Sequence, residues 1–487
     1  MKTIICILLC LTYSFVLVAQ PVEVSKNNRF LQTPDGKPFF WLGDTAWELF
    51  HRLNREEAKK YLKNRSQKGF NVIQAVVLSE LEPFTRANAY NDFPLLEGDI
   101  SRPDTTSGQN PEDSIKYDYW DHVEWIIKKA AEYDIFIGLL PCWGEYVTPR
   151  FRERTIQTPR QGYDYGWFIG KRYKHLNDYI IWILGGDRLP DERENGIEIW
   201  RAMAEGITDA VNGEKNFNQL ADYRKTFMTY HCYRSSSTWF HQDAWIDMHT
   251  WGSYHEKRDN ERAYFEAYKD WNLPSHKPTL NSEPAYELLP INYHWKDASL
   301  GYFDDFDVRQ IAFWSVFSGT CGHTYGCHPV WQMYKKENPN PPLTNTVHKE
   351  WFEALDESGA FHMTHLKNLL LSHPFFSRIP NQSLLVENPY DPTGYLTACS
   401  GDGYFFVYIP TGKTVQIETG LLKVATIKVW WFNPRTGEVI SEGKKVNQDI
   451  IEFDPPGKRK RGNDWVLVID GGEKEFPEPG NYLGEKP

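Results

Sequence analysis

From about residue 37 the chain alternates short apolar runs with stretches whose apolar positions recur every three or four residues. That alternation predicts a parallel sheet joined by crossover helices. The first run is Pro38-Phe-Phe-Trp-Leu-Gly-Asp44; a helical stretch over 55–63 follows, then a second run over 71–78. A helix over 120–133 places Val123, Ile126, Ile127 and Ala130 on one face and leads to a third strand at 135–140. Further strands are predicted at 180–184, 226–230, 245–249, 278–280 and 320–325, the last after a helix over 308–317 that stops at Gly319. Eight strands at about 40 residues per unit fit a (β/α)8 TIM barrel of α/β class with insertions. The longest insertion, 79–116, is rich in Pro, Asn, Asp and Gly.

A helix around 348–370 ends this pattern. Beyond residue 380 come β-rich runs at 403–409, 426–432 and 465–469, separated by Gly, Pro, Asn and Asp. These predict a small antiparallel β-sandwich, with one of Trp430 and Trp431 facing its core. At the other end, Lys2 precedes an apolar run from Ile4 to Val18 that closes on Leu17-Val-Ala19, the pattern of a secretory signal cut before Gln20. The run is too short to span a bilayer. The expected organisation is a signal peptide (1–19), a barrel (20–378) and a sandwich (379–487), in a protein exported to the periplasm or beyond. Past the signal stand Cys142, Cys232, Cys321, Cys327 and Cys399, a sparse set expected to be mostly buried thiols, with Cys321 and Cys327 the nearest pair for a bridge.

The 487 residues are 41% apolar and 24% charged, the balance of a folded globular chain. The net charge is −11, and the one basic cluster, Lys458-Arg-Lys-Arg461, makes no stripe, so nucleic acid is not an expected partner. Nineteen Trp, 27 Tyr and 28 Phe make 15% of the chain; most such rings fill cores, but at strand ends they also form platforms for sugars.

A barrel carries its chemistry at the C-terminal ends of its strands. The polar and aromatic residues there are Asp44, Glu80, Trp143 with Glu145, Asp187, His231, Trp251, Glu283, and His323 with Tyr325. Asp187 after the fourth strand and Glu283 after the seventh face each other across the expected mouth, and two carboxyls about 5–5.5 Å apart are what a retaining glycosidase needs. Arg188, next to Asp187, opposes protonation of that acid unless it points away. Asn281, His249 and Tyr325 are candidates to hold Glu283 ionised. Cys321, His323, Cys327 and His328 fit no common zinc spacing, and His-Glu-x-x-His, Gly-x-Ser-x-Gly and P-loop motifs are absent, so neither metal nor cofactor is expected.

Four stretches, Gly36-Lys-Pro-Phe-Phe-Trp-Leu-Gly-Asp-Thr-Ala-Trp47, Gly185-Gly-Asp187, Asn281-Ser-Glu-Pro284 and Gly319-Thr-Cys-Gly-His-Thr-Tyr-Gly326, together resemble the bacterial apiosidase family of glycoside hydrolases (family 140). The C-terminal Trp430-Trp-Phe-Asn-Pro-Arg-Thr-Gly-Glu438 and Asp464-Trp-Val-Leu467 resemble a sandwich domain labelled as collagen-binding. The resemblance implies a retaining enzyme with Asp187 as acid/base and Glu283 as nucleophile. It acts on apiosyl linkages in the side chains of pectic rhamnogalacturonan II, a plant cell-wall glycan. Asp44, Trp143, His231, Trp251, His323 and Tyr325 are the residues expected to bind the sugar. One departure stands out: retaining barrel glycosidases usually place Asn-Glu after strand four, where this chain has Gly186-Asp187. Two other readings remain, a glycosidase for an arabinofuranoside or galactoside and a non-catalytic glycan- or matrix-binding protein. Retention of both acids favours an enzyme.

Overall fold

The computed structural model describes residues 22–482 except 80, 82–85, 111, 114, 149–154, 232, 294–297 and 340–345. Eight parallel strands carry the fold: β1 (Trp41–Thr45), β2 (Val72–Val76), β3 (Phe136–Leu140), β4 (Ile180–Gly185), β5 (Met228–His231), β6 (His249–Gly252), β7 (Thr279–Glu283) and β8 (Gly322–Tyr325). Every residue of β1, β2, β4 and β5 is buried, as expected for parallel strands covered on both faces. Six of them form one curled sheet in the order β8-β1-β2-β3-β4-β5, while β6 and β7 form a separate parallel pair. Regular pairing therefore covers part of the eight-stranded ring expected from the sequence.

Two seams interrupt the ladder. Across the first, side chains stand in for backbone partners: Thr229 Oγ1 donates to Met248 O (2.7 Å) and Thr250 Oγ1 to Tyr230 O, beside a backbone bond from Asp247 N to Met228 O (2.9 Å). At the second, Cys321 N donates to Thr279 O (2.9 Å). The predicted strand at 245–249 is in fact a loop up to 248. Asp247 turns its carboxylate onto Met228 N there (2.8 Å), and Trp245 packs on Phe240 rather than extending a ladder. The strand itself starts at His249, so its end falls later than the apolar run implied.

The crossover helices are α1 (Arg55–Gln67), α2 (Tyr119–Ala131), α3 (Pro159–Tyr173), α4 (Gly196–Asn212), α5 (Arg262–Trp271), α6 (Asp305–Phe317) and α7 (Ser358–Leu371). Capping boxes led by Asn54, Asp118, Thr158 and Asp304 start α1, α2, α3 and α6. Among the described residues no helix is long and apolar enough to cross a membrane. Cys142, Cys321, Cys327 and Cys399 are buried thiols, so the Cys321–Cys327 bridge considered from spacing does not form; Cys232 lies outside the described residues.

The C-terminal region builds a six-stranded antiparallel sheet, with Thr397–Gly401, Tyr404–Ile409, Trp465–Gly471, Thr426–Phe432 and Val439–Val446 as its longer strands in spatial order. A two-stranded sheet, Val415–Ile417 with Ile451–Phe453, covers one face over a core that includes Trp431 and Trp465. The other face continues the core of the parallel-sheet domain. Helix α6 lies between them and is buried from Phe306 to Phe317. Phe313 stacks on Tyr408 (4.7 Å, 11°) and Phe317 on Phe406 (5.9 Å, 23°). Arg309 forks onto Asp464 (2.7 and 2.9 Å), with both side chains sealed from solvent and Tyr408 OH also donating to Asp464 (3.0 Å).

Removing one partner of a sealed pair strands the other's charge. Asp464→Ala is expected to lower unfolding free energy by about 3–5 kcal/mol in chemical denaturation. A loss below about 1 kcal/mol, the range of exposed pairs, would show that α6 and the C-terminal sheet are not held through this contact.

Candidate active site

The ends of β3, β4 and β5 approach one another at the Gly185-Gly186 pair. Gly185 has φ +95°, and a Cβ there would sit 2.2 Å from His231 O; a Cβ on Gly186 would sit 2.2 Å from Gly144 N. Only glycine allows that approach, which Gly186 N completes by donating to His231 O (2.8 Å). Asp187 therefore emerges beside His231, at the end of β5. Glu283 comes from the end of β7, just past a register shift against β6.

These three side chains converge. His231 Nε2 is 2.8 Å from Glu283 Oε2 and 3.9 Å from Asp187 Oδ1. One donor atom from each residue lies within 4.8 Å of the others, close enough to hold an ion, although Nε2 is already committed to Glu283. The two acids differ in depth: the Glu283 side chain is 6% exposed, the Asp187 side chain 37%. Asp187 thus stands at the mouth and Glu283 at the floor.

Each acid has its own tyrosine. Tyr286 OH donates to Glu283 Oε1 (2.7 Å) and accepts from Trp47 Nε1 (3.2 Å), while Tyr254 OH donates to Asp187 Oδ1 (2.9 Å). Both rings lie over glycines, Tyr254 on Gly252 and Tyr286 on Gly326, where any Cβ would come within 2.0 Å of the ring. His255 Nε2 approaches Glu283 Oε1 at 3.4 Å, its ring 4.5 Å from that of Tyr286. Trp47 and Trp143 meet edge to face at 5.2 Å and flank the His231 ring at 5.3 and 5.6 Å.

Burial alone would raise the Glu283 carboxyl and depress the His231 imidazole. Their mutual contact prevails over burial in both. His231, bonded to Glu283 with Asp187 at 3.9 Å, is raised to about 9, and Glu283, facing His231 and His255, is held well below the usual carboxylate range. Arg188 points away from the pair and bonds Glu145 Oε1 (2.6 Å).

Of the residues expected from sequence, the structure brings Asp187, Glu283, His231 and Trp143 together. It places the other four elsewhere. Asp44 Oδ2 accepts from Tyr61 OH and Arg65 Nε of α1 (both 2.6 Å), and Tyr325 OH donates to Glu287 Oε2 (2.5 Å). His323 is sealed and held neutral by burial, its pKa down to about 3. Trp251 donates its indole N–H to Thr279 Oγ1 (3.0 Å), which donates to Asp270 of α5.

The reason is strand parity. Thr324 bonds the indole of Trp41 across β8 and β1, so its neighbours His323 and Tyr325 face the helix layer, as Asp44 does on β1. The supports named for Glu283 are likewise committed elsewhere: Asn281 bonds Ser253 and Ser315, and His249 bonds Ser236 and His241. Glu80 lies outside the described residues. Tyr254, His255, Tyr286 and Trp47 were not singled out from sequence. Tyr286 stands three residues after Glu283, and Tyr254-His255 would have marked a strand end had β6 been placed at 249–252.

A family model described as "Apiosidase-like, catalytic domain" matches residues 25–377, and one described as "Putative collagen-binding domain of a collagenase" matches 379–470. A search of curated proteins finds no match. A solved structure titled simply a glycoside hydrolase is 30% identical, with a TM-score of 0.81 over 94% of this chain and 98% of that one. A second, described as a family 5 glycoside hydrolase from Bacteroides vulgatus ATCC 8482, is 29% identical, with a TM-score of 0.82 over 95% of each chain. An acid at the mouth after β4 facing a buried acid at the end of β7, a family match across the whole parallel-sheet domain and near full-length likeness to glycoside hydrolases lead to one assignment: the chain belongs to the apiosidase-like family of glycoside hydrolases.

Proposed function

We propose that this chain is an exported apiosidase that cleaves apiosyl linkages in the side chains of rhamnogalacturonan II by retaining double displacement. The observation that carries the mechanism is the acid pair, with donor oxygens within 4.8 Å of each other. That spacing matches the close carboxyl pair of retaining enzymes, about 5–5.5 Å, and falls short of the about 6.5–9.5 Å of inverting ones. The family match and the Gly36–Trp47 and Gly319–Gly326 stretches support apiose as the sugar. The leader pattern at 1–19, outside the described residues, supports export. Backbone bonds across both seams support reading the eight strands as a closed (β/α)8 barrel.

In the first step a Glu283 oxygen bonds to the anomeric carbon while Asp187 gives its proton to the departing glycosidic oxygen. In the second, Asp187 takes a proton from water, whose oxygen displaces Glu283 and restores both acids. The difference in depth suits these roles. The floor carboxylate is fixed by His231, His255 and Tyr286, and the mouth acid stands where a leaving group departs.

On apiose-bearing rhamnogalacturonan II oligosaccharides, the wild type is expected to release free apiose. Folded Asp187→Ala and Glu283→Ala variants should lose about a thousandfold or more in kcat/KM. Release of another sugar would refute the specificity and keep the mechanism; unimpaired variants would refute the mechanism. Tyr286→Phe removes a hydrogen bond from the Glu283 carboxylate, which raises the pKa of that acid. The acid limb of kcat/KM should therefore move to higher pH by about one unit, and an unmoved limb would show that Tyr286 does not stabilise the charge.

A further inference from the structure

The double displacement needs two acids, and the site holds a third ionisable group wedged between them. We infer that His231 is a positioning residue that divides the acids between their roles, clamping Glu283 in place as the carboxylate and leaving Asp187 as the acid that carries the transferred proton. The inference rests on the reading of the site as a double-displacement glycosidase.

Hydrogen-bond bookkeeping at the ring supports it. The Ser282 hydroxyl lies 3.3 Å from Trp251 O and 3.2 Å from His231 Nδ1; with its one proton on the carbonyl, its Oγ accepts from Nδ1. Nε2 lies 2.8 Å from Glu283 Oε2, an acceptor, with Asp187 Oδ1 further off at 3.9 Å. In that arrangement both ring nitrogens donate, the state of an imidazolium. The ring cannot turn away, since it is sealed from solvent between Trp47 and Trp143 and its backbone carbonyl is bonded by Gly186 N.

The groups around it favour the same state. Trp47 and Trp143 bring no charge; β4 brings Asp187 and β7 brings Ser282 and Glu283. Beyond Glu283 stand His255 and Tyr286, beyond Asp187 stands Tyr254, and the nearest arginine in sequence, Arg188, is engaged by Glu145. Burial opposes a charged ring, but the carboxylates outweigh it and raise the group to about 9. The result is an asymmetry: Glu283 has three donors around it, whereas the Tyr254 hydroxyl is the donor bonded to Asp187.

The test pairs a titration with kinetics. In the full-length protein labelled with 15N-histidine, one imidazole should stay doubly protonated at pH 8 and titrate near 9, its signal vanishing in His231→Gln. Should that variant not fold, His231→Asn serves the same purpose. Glutamine keeps a donor for Glu283 but no charge, so the acid limb of kcat/KM should rise by about one to two pH units. Because the ring is sealed from substrate, kcat should fall while KM changes less than about threefold.

A neutral His231 at pH 7 in an active enzyme would overturn the inference, as would a His231→Gln enzyme with the wild-type pH profile. A protonated His231 in a wild type that cleaves no glycoside would instead overturn the functional reading beneath it.

Discussion

A carboxylate sealed from solvent needs a counter-charge, and for Glu283 the contact between His231 Nε2 and Glu283 Oε2 (2.8 Å) supplies it. The rest of the site follows from this constraint. The Gly185-Gly186 pair lets β4 close against His231 O and Gly144 N, which sets Asp187 beside the ring. The register shift at the end of β7 delivers Glu283 to its other side, and Ser282, one residue earlier, reaches Nδ1. Glycines 252 and 326 make space for the tyrosines that bond the two acids. Each of these features is a close approach that a larger side chain would block, which accounts for how many glycines cluster at the strand ends.

The C-terminal sheet belongs to the same core. One face stacks on Phe313 and Phe317 of α6, and the other is closed by its own two-stranded sheet around Trp431 and Trp465. Trp430 bonds Asp470 (3.1 Å) and packs toward the shared core, so both tryptophans of the pair serve the domain's packing. The sealed Arg309–Asp464 fork ties α6 to the last strand region. Since α6 leads directly into β8, a strand more than 80 residues downstream in sequence, Tyr404–Ile409, helps to fix the helix that precedes the last strand of the catalytic domain.

Sequence reading reached the strand ends and missed their orientation. Asp187, Glu283, His231 and Trp143 were legible because each ends an apolar run, where the pattern changes from sheet core to loop. Asp44, His323 and Tyr325 end runs too, yet they face the helices. Parity along a strand decides between mouth and helix layer, and in strands buried on both faces the hydrophobic pattern carries no parity signal. Tyr254 and His255 escaped because the apolar run at 245–249 looks like a strand and is a packed loop. Arg65, which neutralises Asp44 from α1, and Asp464, which neutralises Arg309 from the other domain, show the remaining gap: sequence names buried charges without naming their partners.

The most direct test of the account is to trap the covalent intermediate. With an activated, slowly hydrolysed fluoroglycoside of the cleaved sugar, intact-mass analysis followed by peptide mapping should find one glycosyl adduct per chain, on the peptide that contains Glu283. Absence of any adduct together with an inverted first-formed product, or an adduct on Asp187, would contradict the division of labour between the two acids.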